Sequence, residues 1–492
     1  MAKQLSILLV ASEVFPFSKE SDVADVASSL ALSLKDKGND VRIMMPKYGH
    51  ISERKNRIHD INRLRDMPIP INGAEDFATI KSSAIQNSRA KVQTYVTTND
   101  NYFNNLKGVY HDPKTWKEFS SNAERFIFFS RSVVETCVIL GWYPDIIHCN
   151  DWQTALVPAF AKLLYPDEFA NTKFVFTAHD FNNQGSYPWS NFKKTGIPED
   201  FAKEFKHKNK FNFLKAGLVY ADFITTVSET YAEEVLSDSD FSDGLNTTLK
   251  ARKKDFMGIL NGIDKWVWNP VKDDYLKYKL EDDDFENFKY NNKVELLNNY
   301  GLEYHPKRPV YGMVTSFADE KGLELLIDSA DSIFDKDLQL VILGQGSNDY
   351  KKKLEKIEKK YPDKFKVKYE FDETISHLIE AGSDFFLIPT KYETSGLSFM
   401  YSCTYGSIPI VNVSGGLNET VEAWDAEEME GNALLIEDYS SDSITNSINS
   451  SFELFKEKDK WEKLAKNGMY EEFGWDENAE QYQKIYRKLL KK

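Results

Sequence analysis

Short unbroken apolar runs alternate with stretches of helical spacing along most of this chain. Leu5 to Ala11 is such a run, Ser12 to Asp22 a polar loop, and Val23 to Lys37 repeats apolar residues at helical intervals until Gly38 stops it. Val41 to Met45 is apolar again. Strand, helix and strand in that order predict a parallel, doubly wound sheet. Residues 50–118 are polar and irregular, with β-like runs such as Lys91 to Val96, and predict a hairpin region decorating that sheet. Asn122 to Leu140 predicts a strongly apolar helix, and Asp145 to His148 and Lys173 to Thr177 predict strands. Lys210 to Val227 predicts a helix and then a strand, with Ser228 capping the next helix.

Residues 270–307 are charged and helical in period, and predict a solvated helical hairpin leading into a second domain. There a strand Val310 to Val314, a loop to Lys321-Gly322, a helix Leu323 to Phe334 and a strand Leu338 to Leu343 follow in order. Gly344-Gln345-Gly346 is a tight turn, lacking the third glycine of a dinucleotide fingerprint. A solvated basic helix from Lys351, a strand from Phe365 and a helix from Glu373 lead to Phe385–Thr420. That stretch holds two strand–loop–helix units in tandem: Phe385 to Ile388 with Leu397 to Tyr405, then Ile408 to Val413 with a helix opened by Gly415-Gly416. Helix starts present unpaired N–H groups that bind phosphate or sugar oxygens, and Glu393 beside the first can accept from sugar hydroxyls. On spacing alone, an ordinary pair of α/β loops with a surface glutamate fits equally well.

Composition narrows the class. With 492 residues, 41% of them hydrophobic, the chain can fill two or three cores. A net charge of -15 argues against nucleic acid, whose phosphates need a basic face. Eight His and three scattered Cys give neither zinc spacing nor a disulfide framework, so reduced cytosol is the natural compartment. Leu5 to Ala11 is too short to span a bilayer and lacks the flanks of a signal peptide.

The residues of the tandem units go further. Glu393-Thr394-Ser395-Gly396-Leu397, Tyr405-Gly406-Ser407-Ile408-Pro409-Ile410-Val411 and Ser414-Gly415-Gly416-Leu417 resemble the donor-site pattern of bacterial glycogen synthases and plant starch synthases. There the pattern runs Glu-Pro-Cys-Gly-Leu, Tyr-Gly-Thr-Leu-Pro-Ile-Val and Thr-Gly-Gly-Leu. Glu13 to Lys19 with Ala24-Asp25-Val26, His148 to Trp152, Phe176 to Gly185, Gly258 to Asp264 and the terminal helix after Phe473 are similar to the same family, so the resemblance covers nearly the whole chain.

The resemblance implies an α/β, GT-B architecture of two Rossmann-like domains facing a cleft. Residues 1–255 would be the acceptor-side domain, 256–470 the nucleotide-sugar domain, and 471–492 a helix returning to the first. It implies transfer of glucose from ADP-glucose, or another nucleotide sugar, to an α-1,4-glucan with retention. Neither metal nor cofactor takes part; helix N-termini and basic side chains do the work of a magnesium ion. Glu393, His179 and Lys321 are the implied catalytic residues, with Lys19, Asn261, Gly396, Leu397, Gly415 and Gly416 on the donor. Asp151, Trp152 and Gln184 would line the acceptor side. No nucleic-acid or membrane partner is expected, and pairing with itself or a paralogous synthase stays open. The cytoplasm is the implied location, or a plastid if a transit peptide has been removed.

Two departures fall on the phosphate side. The family follows its loop lysine with Thr-Gly-Gly, where Lys19 is followed by Glu20-Ser21-Asp22. It carries an arginine before the second lysine, where Ser316 stands here. Losing a charge-assisted contact costs about 1.5–3 kcal/mol. A carboxylate about 4 Å from a phosphate repels it by roughly 1–4 kcal/mol. A catalytically silent homologue that binds glucan or a true synthase, and a retaining transferase with another donor, therefore stand beside the synthase reading.

Overall fold

The structure is a computed structural model that describes residues 3–491. The chain forms two compact units, Met1–Gly262 with Trp475–Lys492, and Ile263–Gly474. The divisions fall later than 255 and 470, because Phe256–Gly258 is still a strand of the first sheet, paired with Phe223–Thr226. The terminal helix Asp476–Leu489 belongs to the first unit, where its Tyr486 hydroxyl bonds His148 Nδ1 at 2.7 Å.

In the first unit the parallel strands lie in the order Phe256–Gly258, Phe223–Thr226, Lys173–Thr177, Ile146–Asn150, Ser6–Val10, Asp40–Pro46 and Lys91–Thr98. Ala74–Gln86 then pairs antiparallel with the last of these. The region expected to decorate the sheet therefore extends it. Lys91–Thr98 buries Val92 and every residue from Thr94 to Thr98, which suits a central strand. The helix Asn122–Leu140 has nearly every side chain buried and ends at Gly141, in the left-handed conformation at φ 61°. Ser228 caps the helix Glu229–Ser237 by accepting from Tyr231 N, as its position predicts.

The second unit is a six-stranded parallel sheet in the order Phe365–Lys368, Gln339–Gly346, Val310–Phe317, Phe385–Ile388, Ile408–Val411 and Leu434–Leu435. Before it, 270–307 holds one helix, Phe285–Tyr300, and no hairpin. One face of that helix is buried rather than solvated. Lys289 Nζ donates to Ser383 O at 2.6 Å, and Lys293 pairs with Asp384 at 2.6 Å, both lysines buried. The predicted helix from Leu323 breaks at Ser329, whose hydroxyl reaches Ser441 O at 2.9 Å. Gly415-Gly416 open a 3-10 turn, Gly415–Glu419, in place of an α-helix.

Both sheets share a topological feature that positions chemistry. Ser6–Val10 has its sequence successors on both sides, Asp40–Pro46 and Ile146–Asn150, and Val310–Phe317 likewise lies between Gln339–Gly346 and Phe385–Ile388. The connections diverge at such a strand, so a crevice opens beyond its carboxyl end.

Candidate active site

At the switch point of the first sheet, the loop after Val10 folds around a buried acid. Glu13 accepts from the Glu20 N–H, from Ser21 N at 3.1 Å, from Ser21 Oγ at 2.7 Å and from Tyr110 OH at 2.8 Å. Burial pushes its carboxyl above the usual range. Glu20 accepts from Val109 N at 2.7 Å, and burial together with the nearby Glu13 raises its pKa to about 7. Lys19, carried on this loop, pairs with Asp25 of the following helix at 2.9 Å.

The neighbouring loop ends bring Asp151 and His179 together. Asp151 has a left-handed backbone, φ 57°, and accepts from His179 N at 2.7 Å. Burial raises the Asp151 pKa to about 8 and lowers that of His179 to about 4, which favours the neutral imidazole. Asn150 donates to Val10 O at 3.2 Å, which turns its amide oxygen toward His179 Nε2, 3.0 Å away. Nε2 therefore carries the ring proton, and Nδ1, buried and without a partner among the described residues, is left as an acceptor. Asn261 is 1% exposed, and neither amide atom has a partner there. A buried polar group left unpaired costs about 1–3 kcal/mol, so both side chains are prepared for a polar ligand.

Of the residues expected on the acceptor side, Gln184 is engaged by the fold, while Trp152 is packed with its Nε1 buried and without a partner among the described residues. Gln184 donates to Phe181 O and Ser242 O at 3.0 and 2.8 Å and accepts from Asn212 at 2.7 Å. Trp152 sits among Phe126, Tyr187 and Phe213, and a Cβ on Gly185 would fall 2.3 Å from its ring. That contact makes glycine obligatory at 185.

At the switch point of the second sheet, two loops are stitched together. Lys321 ends the turn Asp319–Lys321, and Gly322, at φ 71°, opens the helix Leu323–Asp328. A Cβ on Gly322 would lie 2.1 Å from Pro389 O, and Lys391 N donates to Glu320 O at 2.8 Å. The Lys321 loop thus rests on the start of the Glu393 loop. Glu393 is 8% exposed and accepts from Gly396 N at 3.1 Å, Ser395 N at 3.3 Å and Ser395 Oγ at 3.2 Å. Gly396, at φ 68°, starts the helix Leu397–Thr404, so the carboxylate lies at that helix's N-terminus. Ser414 Oγ accepts from Glu393 N at 2.8 Å, and a Cβ on Gly415 would meet Glu393 O at 2.2 Å. Ser316 lies inside its strand opposite Gln345, one residue before the end.

Sequence reasoning assigned no role to Glu13, Asn150, Tyr110 or Asp25. Glu13 and Asn150 do follow or end buried strands, which was the available signal; Tyr110 comes from an irregular segment that gave none.

Polar loops at the switch points of two sheets, one holding a buried acid at a helix start, lie where open α/β sheets bind their ligands. Residues 6–251 match the family described as starch synthase catalytic domain, and residues 302–468 match glycosyl transferases group 1. The chain is 36% identical over 490 residues to a glycogen synthase of Chlorobaculum parvum, with 99% of each chain covered. It is also 36% identical over 488 residues to one of Koribacter versatilis, with 98% of each covered. The catalytic domain of starch synthase IV from Arabidopsis thaliana, solved bound to ADP and acarbose, superposes with a TM-score of 0.90 at 28% identity over 100% of both chains. A sucrose-phosphate synthase from Thermosynechococcus elongatus, at TM-score 0.60 and 17% identity over 99% and 100%, shares the fold. The chain belongs to the glycogen synthase family and is a glycosyltransferase with a nucleotide-sugar donor and a glucan acceptor. Among the described residues no helix is long and apolar enough to cross a membrane, and no cluster of three or more His, Cys, Asp or Glu side chains could hold a metal ion.

Proposed function

We propose that the chain transfers glucose from ADP-glucose to an α-1,4-glucan with retention, in the cytoplasm. The observation that carries this reading is Glu393, fixed against a helix N-terminus in a loop stitched to that of Lys321. Glu393 accepts from the hydroxyls of the donor glucose, while Gly396 and Leu397, with Gly415 and Gly416, offer backbone donors. Lys321 and Lys19 offset the charge that grows on the departing diphosphate. His179 Nδ1 accepts from a sugar hydroxyl, and Asn261 supplies a donor and an acceptor to the same ring. Asp151 positions His179. The ADP in the starch synthase structure supports adenine as the donor base.

The measurement is ADP release from ADP-glucose with and without glycogen. Glycogen-dependent release is expected. No release from either ADP- or UDP-glucose at high enzyme concentration would overturn the reading. It would favour a silent, glucan-binding homologue, the second reading that Ser316 and Asp22 motivate.

A further inference from the structure

A buried charge cluster in the second unit takes no part in the transfer described above. His377, on the helix Glu373–Gly382, places Nδ1 2.7 Å from Asp273 Oδ2, and neither side chain reaches solvent. Asp273 also accepts from the Tyr405 hydroxyl and, at 2.8 Å, from Tyr275 N. Glu373 Oε1 lies 3.6 Å from His377 Nε2. Burial opposes charge on the imidazole, but the bonds to Asp273 and Glu373 outweigh it and raise the His377 pKa above its usual value.

The ring faces are occupied as closely as the edges. Trp268 stacks on His377 with centroids 3.8 Å apart and planes within 9° of parallel. It stacks on Tyr401 as well, at 3.6 Å and 16°, and Tyr275 leans on the imidazole at 4.4 Å. Tyr401 belongs to the helix Leu397–Thr404, one turn beyond Leu397 on the same face, and Tyr405 ends that helix. The same helix begins at Gly396, whose N–H holds the Glu393 carboxylate. Trp268 and Asp273 come from the segment that follows Ile263, where the chain enters the second unit. Ion pair and stack therefore join three separate stretches of chain, one of them the helix that carries Glu393 at its start.

We propose that His377, with Trp268 and Asp273, is a positioning device for the donor site, setting the helix Leu397–Thr404 in the register that places Glu393 on the sugar. A buried ion pair is a weak source of stability, because desolvation offsets the attraction; its directional bonds contribute register instead. This role rests on Glu393 being a sugar contact, while its effect on the loop is measurable without turnover.

His377→Asn puts an amide donor close to where Nδ1 stood and removes the ring, and Trp268→Leu removes the stack from the other partner. Both should lower kcat for glycogen-dependent ADP release by about tenfold or more, with the KM for glycogen unchanged. Trp268→Phe should recover most of the rate, and His377→Asn/Trp268→Leu should be little worse than either single change. Hydrogen exchange at the Ser395, Gly396 and Leu397 amides should speed up in the same variants. Ile448→Val, in the core on the helix Ser441–Leu454, controls for stability alone. It should lower the melting temperature yet leave rate and exchange at wild-type values.

A folded His377→Asn chain with wild-type rate and exchange would overturn the device; should that chain not fold, the same result from Trp268→Leu would do so. A rate loss in Ile448→Val in proportion to its lost stability would reduce the cluster to core packing and overturn it too. Additive losses in the double variant would overturn a single device. Faster exchange in the variants of a chain whose wild type transfers no glucose would uphold the positioning and overturn the role of Glu393 instead.

Discussion

The Lys19 loop follows the switch strand Ser6–Val10 of the first sheet and the Glu393 loop follows Phe385–Ile388, the neighbour of the switch strand in the second, yet acids do opposite work in them. In the second unit the loop holds the acid: main-chain N–H groups of Ser395 and Gly396 grip the Glu393 carboxylate. In the first unit the acids hold the loop: Glu13 grips Glu20 and Ser21, and Glu20 grips Val109. One loop presents a carboxylate, the other presents Lys19 and hides two carboxylates behind it. The departure from Gly-Gly reads differently in this light. Ser21 turns both its N–H and its hydroxyl inward to Glu13, so the serine of that pair holds the loop rather than facing the phosphate side.

The comparison makes Glu393 the most sensitive point. Glu393→Ala should lower the rate of ADP release by about 10²–10³-fold, the scale of a lost preorganised contact to the reacting group. Melting temperature should move by no more than a few degrees. A loss below tenfold would mean the acid is as structural as Glu13.

Glu20 tests the other side, through stability. Its pKa is raised from 4.5 to about 7, so the folded chain binds more protons than the unfolded one in that window. The stabilisation from protonated Glu20 is fully present below about pH 4.5 and is lost as pH rises through about 7. Glu20→Gln should therefore gain up to about 3 kcal/mol relative to wild type between pH 5 and pH 8 in urea melts. A constant difference across that range would show that Glu20 is not a buried acid.

The two lysines should rank next. With the proposed roles, Lys321→Ala and Lys19→Ala each lose one charge-assisted contact, about 1.5–3 kcal/mol, or roughly ten- to a hundredfold in kcat/KM. Because Lys19 also pairs with Asp25, its removal breaks that ion pair as well, and the larger loss is expected there. Asp25→Asn in the Lys19→Ala background should recover part of it.

Much of this was legible beforehand. Unbroken apolar runs such as Phe385–Ile388 and Ile146–Asn150 marked the buried parallel strands, and the polar residues after them marked the site. What failed was environment. Lys289 and Lys293 read as solvated because lysine usually is, but each finds a fixed acceptor, Ser383 O or Asp384, that makes burial tolerable. Gln184 and Trp152 lay in motifs with the right spacing, and spacing cannot say that an amide is already engaged or that a ring is packed against Gly185. Nor could it pair Glu13 with Tyr110, far apart in sequence and joined only by the fold.

The smallest effect expected is the most informative about the second unit. Ser316 lies one residue from the carboxyl end of its strand, at the switch point, opposite Gln345 and between the glycine positions Gly344 and Gly346 of the neighbouring strand. Glycines on that strand approach closely: a Cβ on Gly344 would fall 2.0 Å from Thr315 O, and one on Gly346 2.6 Å from Phe317 O. Ser316 is half-buried, so an arginine there can extend past the strand end toward the Lys321 loop. Ser316→Arg should then raise kcat/KM for ADP-glucose by about tenfold, the value of one cation on a developing diphosphate charge. Ser21→Gly should give no gain, since it removes a bond to Glu13 without opening the phosphate side. If Ser316→Arg raises the rate and Ser21→Gly does not, the weakness lies in the second unit alone. If Ser21→Gly matches it, the inward turn of Ser21 does not protect the first.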